Sequence, residues 1–261
     1  FAGTWQQKPA LSHFTQPSIA RIPARCQHCR MVRFAAALLL ALLTLAPREG
    51  RACGMALLLA MDVSGSVDAS EYRLQVDGLA AALRDAEVLD ALMRQRAAVS
   101  VVQWSGVGEQ ELSIPWTRLE EPAQVHDLAA AVAAMRRAFR LGNTAVGDAI
   151  SFATAQFDSV PQCLLWVMDV SGDGDENEGF TVGTARRAAI MRGIIINGLA
   201  IEAPGTGRAI TNFYRNWVVT PGGFVETAVN HHDFARAIRY KLLRELVAPI
   251  SSLPHNPASV Y

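Results

Sequence analysis

The chain has 261 residues, 24 basic and 24 acidic side chains, 51% hydrophobic residues and four cysteines. This composition excludes a wholly disordered chain, a collagen-like or linker-rich chain, and a disulfide-dense miniature scaffold. Charge is unevenly spread: residues 1–52 hold seven basic and one acidic side chain, and the remainder holds 17 and 23. The body is therefore mildly acidic and lacks the basic footprint that phosphate neutralisation requires, so no nucleic-acid partner is expected.

Residues 1–30 have no acidic residue and no hydrophobic period. They are expected to be a disordered or over-extended N-terminal segment. Cys26 and Cys29 form a lone CxxC, which supplies two ligands where a closed zinc site needs four. Residues 31–52 read as a signal peptide. Arg30 and Arg33 supply the positive flank, Phe34 to Ala46 is an apolar run too short to span a bilayer, and Gly50 and Ala52 suit a cleavage site. The expected product is an exported protein, periplasmic or extracellular, with no stable membrane span in the mature chain. A lipid anchor on Cys53 and an uncleaved N-terminal anchor are the alternatives.

From residue 53 the period switches repeatedly between strand and helix. Segment 55–63 is a continuous apolar run, as in a strand buried on both faces. Helices follow over 71–85 and, briefly, over EVLDALMR. Segment 97–104 is β-rich, and 111–116 alternates like an edge strand, where Pro115 is tolerated. Helices are expected over 122–138 and 144–157, a buried strand over 163–170, a helix over 181–192, a third buried strand over 193–201, a short strand over 223–228, and an amphipathic helix over 232–247. This order predicts an α/β fold: a doubly wound, mostly parallel sheet with helices on both faces, over 53–248, followed by a tail over 249–261. Such sheets bind ligands beyond the carboxyl ends of their strands.

Three segments stand at those ends. Asp62, Ser64 and Ser66 follow the first strand, Gly142-Asn143-Thr144 precedes a helix, and DVSGDGDENEG follows the strand over 163–170. The donors are hard oxygens, which suit Mg²⁺ or Mn²⁺, and also Ca²⁺, rather than Zn²⁺ or Cu. Asp62 and its serines also suit a helix N-cap, as does Thr144. An EF-hand does not fit DGDENEG, because its sixth and twelfth positions would be Glu178 and Thr184. The acidic cluster therefore reads as a solvated loop.

The D-x-S-x-S, the GNTAVGDAI segment and the SGDG after a later strand resemble a von Willebrand factor type A (vWA) domain with its metal-ion-dependent adhesion site. LAMDVSGSVDASEY, VVQWSG, MDVSGDGDENEG and INGLAI are more narrowly similar to an uncharacterised bacterial family of exported vWA-like proteins. The resemblance implies a Rossmann-like sheet and a Mg²⁺ held by Asp62, Ser64, Ser66, Thr144 and Asp173. That ion would accept an Asp or Glu carboxylate from a protein partner, with no enzymatic step. Thr144 is expected to ligate directly or through water, and Asp169 and Asp175 are rivals of Asp173. The family's strand order also implies a disulfide between Cys53 and Cys163, at the end of the sheet opposite the metal.

Trp104, Trp116, Trp166 and Trp217 are expected in the core, with Trp104 also placed to line the binding face. His231 and His232 are expected at the surface. No histidine or lysine is expected near the motif as a general base, which argues against catalysis. The alternative is a Mg²⁺-dependent phosphohydrolase of haloacid-dehalogenase type, suggested by the Asp173-Gly-Asp175 spacing; it needs a late lysine, and only Lys241 is available.

Overall fold

The computed structural model describes residues 53–203 and 209–247. The segment 1–30, the signal peptide expected over 31–52, the CxxC and the tail expected over 249–261 lie outside the described residues. Among the described residues no helix is long and apolar enough to cross a membrane.

Six strands form one sheet: β1 (Cys53–Asp62), β2 (Ala98–Trp104), β3 (Gln110–Arg118), β4 (Cys163–Gly172), β5 (Ile195–Ile201) and β6 (Val225–Ala228). Their order is β3-β2-β1-β4-β5-β6. Only the β2–β3 pair is antiparallel. The helices are α1 (Ala69–Arg84), α2 (Ala86–Gln95), α3 (Pro122–Ala133), α4 (Val146–Gln156), α5 (Val182–Met191), α6 (Ala209–Phe213) and α7 (Phe234–Val247). This is the doubly wound α/β architecture that the alternating periods predict.

Strand alternation divides the core into two layers. Met55, Leu57, Leu59 and Met61 of β1 pack with α1, α2, α3 and α7, while Ala56, Leu58 and Ala60 pack with α4 and α5. A strand covered on both faces needs apolar residues at every position, which is why β1 reads as one unbroken run. Each of these leucines contributes about 1.5–3 kcal/mol through burial. At the edge of the sheet, β3 exposes Pro115, whose missing N–H costs no ladder bond there.

Cys53 and Cys163 are register partners at the start of β1 and β4 and form a disulfide across 110 residues of sequence. They lie at the end of the sheet away from Asp62, as the resemblance implies. Closing a loop of that length restricts the unfolded chain, worth about 4–5 kcal/mol on the chain-entropy account.

Helix α3 stops five residues short of the expected 122–138. Beyond Ala134 other partners take the backbone groups: the Tyr72 hydroxyl donates to Met135 O, and the Gln103 side chain bonds both Arg136 O and Ala138 N. The short helix α6 and the π-helical turn Tyr214–Val218 after it were not expected from the sequence. Trp104 is fully buried in the α4/α5 layer and does not line a binding face, whereas Trp217 is 57% exposed rather than in the core.

Candidate metal centre

The first motif segment leaves the sheet at Asp62 and enters α1 seven residues later. Asp68 caps α1, accepting from the Ser70 and Glu71 amides, while Glu71 returns a carboxylate to the Asp68 amide. The N-cap task therefore belongs to Asp68, and Asp62, Ser64 and Ser66 are left free of it. The turn between is held from outside. Arg137 donates to Val63 O and Ser64 O at 2.9 and 2.8 Å, and the Gly65 amide donates to Gly142 O at 2.8 Å. A Cβ on Gly142 would fall 1.9 Å from Glu109 Oε2 and 2.2 Å from Ser105 Oγ, so any larger residue here would displace those two side chains.

The structure brings the five expected residues together. Ser64 Oγ lies 3.2 Å from Ser66 Oγ and 3.5 Å from Thr144 Oγ1, and the Ser66 hydroxyl donates to Asp173 Oδ1 at 2.6 Å. Asp62 joins through its Oδ1, which accepts the Ser64 amide at 2.7 Å. Neighbouring ligands on an octahedral Mg²⁺ stand about 3 Å apart. The hydroxyl spacings are a few tenths of an ångström wider, so a shared ion asks for little movement.

Asp62 is fully buried, and its second oxygen, Oδ2, has no hydrogen-bond partner. Burial, reinforced by the charge of Asp173, raises its carboxyl from 3.8 to about 7, against the opposing bonds from Ser64 and from the Asp173 backbone. Beneath it, Tyr214 is also fully buried with an unpartnered hydroxyl. Burial raises that phenol well above its ordinary value, and the charges of Asp62, Asp173 and Asp169 add to the shift. A Cβ on Gly172 would come within 2.5 Å of the Tyr214 hydroxyl and 2.8 Å of Asp62 Oδ2, so this glycine keeps the space between them open.

The rival carboxylates sit elsewhere. Asp169 faces α7, where Lys241 Nζ meets it at 2.7 Å and Glu245 at 2.6 Å, all three being buried. Asp175 is exposed on the loop. Lys241 is committed to that interior pair of carboxylates, which removes it as the lysine a dehalogenase-type site wants.

Two expectations are corrected here. The acidic loop is not merely solvated: Glu176 accepts from the Gly147 and Val182 amides, Asn177 Oδ1 from the Thr144 amide, and Glu178 from the Val107 amide. Each acceptor pins a neighbouring site loop or a helix N-terminus. His231 is not at the surface either. It is 8% exposed, with Nδ1 3.2 Å from Glu71 Oε1 and Nε2 3.8 Å from Asp173 Oδ2. Glu71, Asp173 and His231 offer ligand atoms within 4.8 Å of one another, a group able to hold a divalent ion. A histidine therefore does stand beside the motif.

The fold is shared, distantly, with vWA-type proteins. The pilus adhesin SpaC of Lactobacillus rhamnosus GG superposes with a TM-score of 0.55 at 12% identity, over 75% of this chain and 31% of that one. Proximal thread matrix protein 1 of the mussel byssus, in a structure described with a zinc-occupied MIDAS motif, gives 0.54 at 16% identity, over 74% and 46%. A von Willebrand factor type A protein of Catenulispora acidiphila gives 0.51 at 18% identity, over 74% and 43%. The chain thus spans less than half of each of these structures. No curated protein matches it. Residues 52–250 match the family described as DUF1194, protein of unknown function, and the chain belongs to that family.

Proposed function

We propose that this chain is an exported, non-catalytic binding module. In it Asp62, Ser64, Ser66, Thr144 and Asp173 hold a Mg²⁺ that accepts a carboxylate from a protein partner. The observation that carries this reading is the Asp62 Oδ2 atom: a buried carboxylate oxygen without a partner, beside three hydroxyls and a second carboxylate. Such an atom is costly unless a cation completes it. Asp62 and Asp173 only just balance the charge of a divalent ion, and the other three donors are neutral, weakly donating hydroxyls, so the ion keeps the electrophilicity to take a carboxylate from outside at a remaining position. Mn²⁺ and Ca²⁺ offer the same oxygen chemistry.

The rim supports a protein partner. Leu141, Val107 and Phe180, on the loops around the site, are 95%, 51% and 77% exposed, and Phe180 holds a left-handed φ of 51°. Apolar side chains kept in water around a charged centre suit a partner whose acidic residue is flanked by apolar ones. Export is read from residues 31–52 as a signal peptide ahead of a domain over 53–248, and the Cys53–Cys163 bond fits an oxidising compartment.

Calorimetric titration with Mg²⁺ tests the site. One equivalent is expected for the wild type, with loss in Asp62→Ala and at least tenfold weakening in Thr144→Ala. Capture of a partner from an envelope extract is expected in Mg²⁺ and not in EDTA. Capture that ignores the chelator, or Mg²⁺ binding that survives Asp62→Ala, overturns the reading.

A further inference from the structure

We infer that a second divalent cation, of the borderline class represented by Zn²⁺, binds beside the first through Asp173 and His231, with Glu71 orienting the imidazole. The inference adds an ion to the site proposed above and shares Asp173 with it.

Three observations converge. The first is the fixing of the ring. Glu71 is held by its helix cap, with Oε2 accepting the Asp68 amide at 2.8 Å, and its Oε1 stands 3.2 Å from His231 Nδ1. A carboxylate on Nδ1 places the proton there and leaves the Nε2 lone pair free, the arrangement found behind metal-bound histidines. The second is that Nε2 has no hydrogen-bond partner, although the side chain is only 9% exposed. It faces Asp173 Oδ2 at 3.8 Å, while Asp173 Oδ1 turns to Ser66 and the first site. Two donors on one zinc ion stand about 3.3 Å apart, so a closure of about half an ångström suffices.

The third observation is the space. A cleft of about 860 Å³ runs past Ser66, Asp173 and His231 to Glu202. Glu202 is 6% exposed; its Oε1 accepts the Thr211 amide and hydroxyl, and its Oε2 is buried without a partner. Two residues that each carry a buried, unsatisfied polar atom, His231 and Glu202, thus line one cleft with room for water ligands. Imidazole in the donor set favours Zn²⁺ over Mg²⁺, whereas the neighbouring all-oxygen cluster favours the reverse. The pair of sites is therefore selective for two different ions.

The test is a calorimetric titration of the whole protein with Zn²⁺ in a large excess of Mg²⁺. One zinc equivalent is expected. His231→Gln and Glu71→Gln should each weaken zinc at least tenfold and leave Mg²⁺ affinity, measured without zinc, unchanged. Asp62→Ala should lose Mg²⁺ and keep zinc. X-ray absorption at the zinc edge of the unmodified protein should show imidazole scattering, a readout that needs no variant to fold. No zinc retained against Mg²⁺ overturns the inference. So does zinc that ignores His231→Gln and disappears in Asp62→Ala, which would place zinc in the first site and leave the proposed function standing. Zinc bound at His231 by a protein that takes no Mg²⁺ would instead overturn the proposed function and keep the second site.

Discussion

Replacing Asp62 with Asn should make the metal-free protein more stable while abolishing its response to Mg²⁺. Asp62 is fully buried beside Asp173, and its carboxyl is raised from 3.8 to about 7, chiefly by burial and next by that neighbouring charge. Because the folded value lies above the unfolded one, the native state holds a proton that the unfolded chain has released over this window. The associated stability is complete below about pH 4 and is lost as pH rises through 7. By pH 8 the ionised group costs the metal-free fold about 4 kcal/mol. Asn keeps the shape and an oxygen for the Ser64 amide, now bonded at 2.7 Å, and carries no charge. Urea denaturation in EDTA should show the variant ahead by about 2–4 kcal/mol at pH 8 and level with the wild type near pH 4. Millimolar Mg²⁺ should stabilise only the wild type at pH 8, and its affinity should fall up to about tenfold per unit as pH drops below 7. A variant less stable than the wild type in EDTA at pH 8, or a difference that does not change with pH, would refute the reasoning.

Three further outcomes are expected. Reducing the Cys53–Cys163 bond, or replacing both cysteines with Ser, should cost about 2–5 kcal/mol in denaturant; a midpoint indifferent to reductant contradicts this. Arg137→Ala removes the donors to Val63 O and Ser64 O that hold the D-x-S-x-S turn, and should weaken Mg²⁺ by about 10–100-fold with a modest change in melting temperature. Unchanged affinity by calorimetry would mean the turn holds itself. Lys241→Met strands Asp169 and Glu245 in the core and should cost about 3–5 kcal/mol, part of which is recovered when both carboxylates are also made apolar. Equal stability of the single and triple variants would argue against that pairing.

The parts of the site that were legible in the sequence share one property: each follows or precedes an apolar run. Asp62 ends β1 and Asp173 follows β4, strands whose burial on both faces leaves an apolar signal, and Thr144 precedes α4. His231 offers no such signal. It belongs to a single 3₁₀ turn, and its burial comes from Glu71 and Asp173, residues far away in the chain. Trp104 defeats the reading for another reason: every residue of β2 is buried, so its parity cannot be told from its sequence. Lys241 was legible in principle. Phe234, Ala237, Ile238, Leu242 and Leu246 mark the inward stripe of α7, and Lys241 and Glu245 fall within it. A charge on an apolar stripe asks for a buried partner, and Asp169 supplies it. The π-helical turn at Tyr214 has no periodic pattern of its own; it depends on Gly198, where a Cβ would come 2.7 Å from the ring.

The buried carboxylates at this end of the sheet meet opposite treatment. Asp169 points from β4 into the α7 layer, and the fold provides it with Lys241 at 2.7 Å. Asp62 is equally buried, yet among the described residues no basic side chain forms an ion pair with it. Arg137, the guanidinium that reaches the same turn, directs its donors to the Val63 and Ser64 carbonyls instead. A chain that neutralises one interior carboxylate with a built-in lysine has the means to neutralise another; leaving Asp62 uncompensated costs several kcal/mol. Below about pH 7 a proton neutralises it; above that, the proposed function supplies the missing charge as a cation from outside the polypeptide. The loops that face it are already pinned by Glu176, Asn177 and Glu178, so little ordering remains to oppose an arriving ion. A rigid frame around one uncompensated carboxylate is what the proposed function needs of Asp62, and it is what the Lys241–Asp169 ion pair lacks.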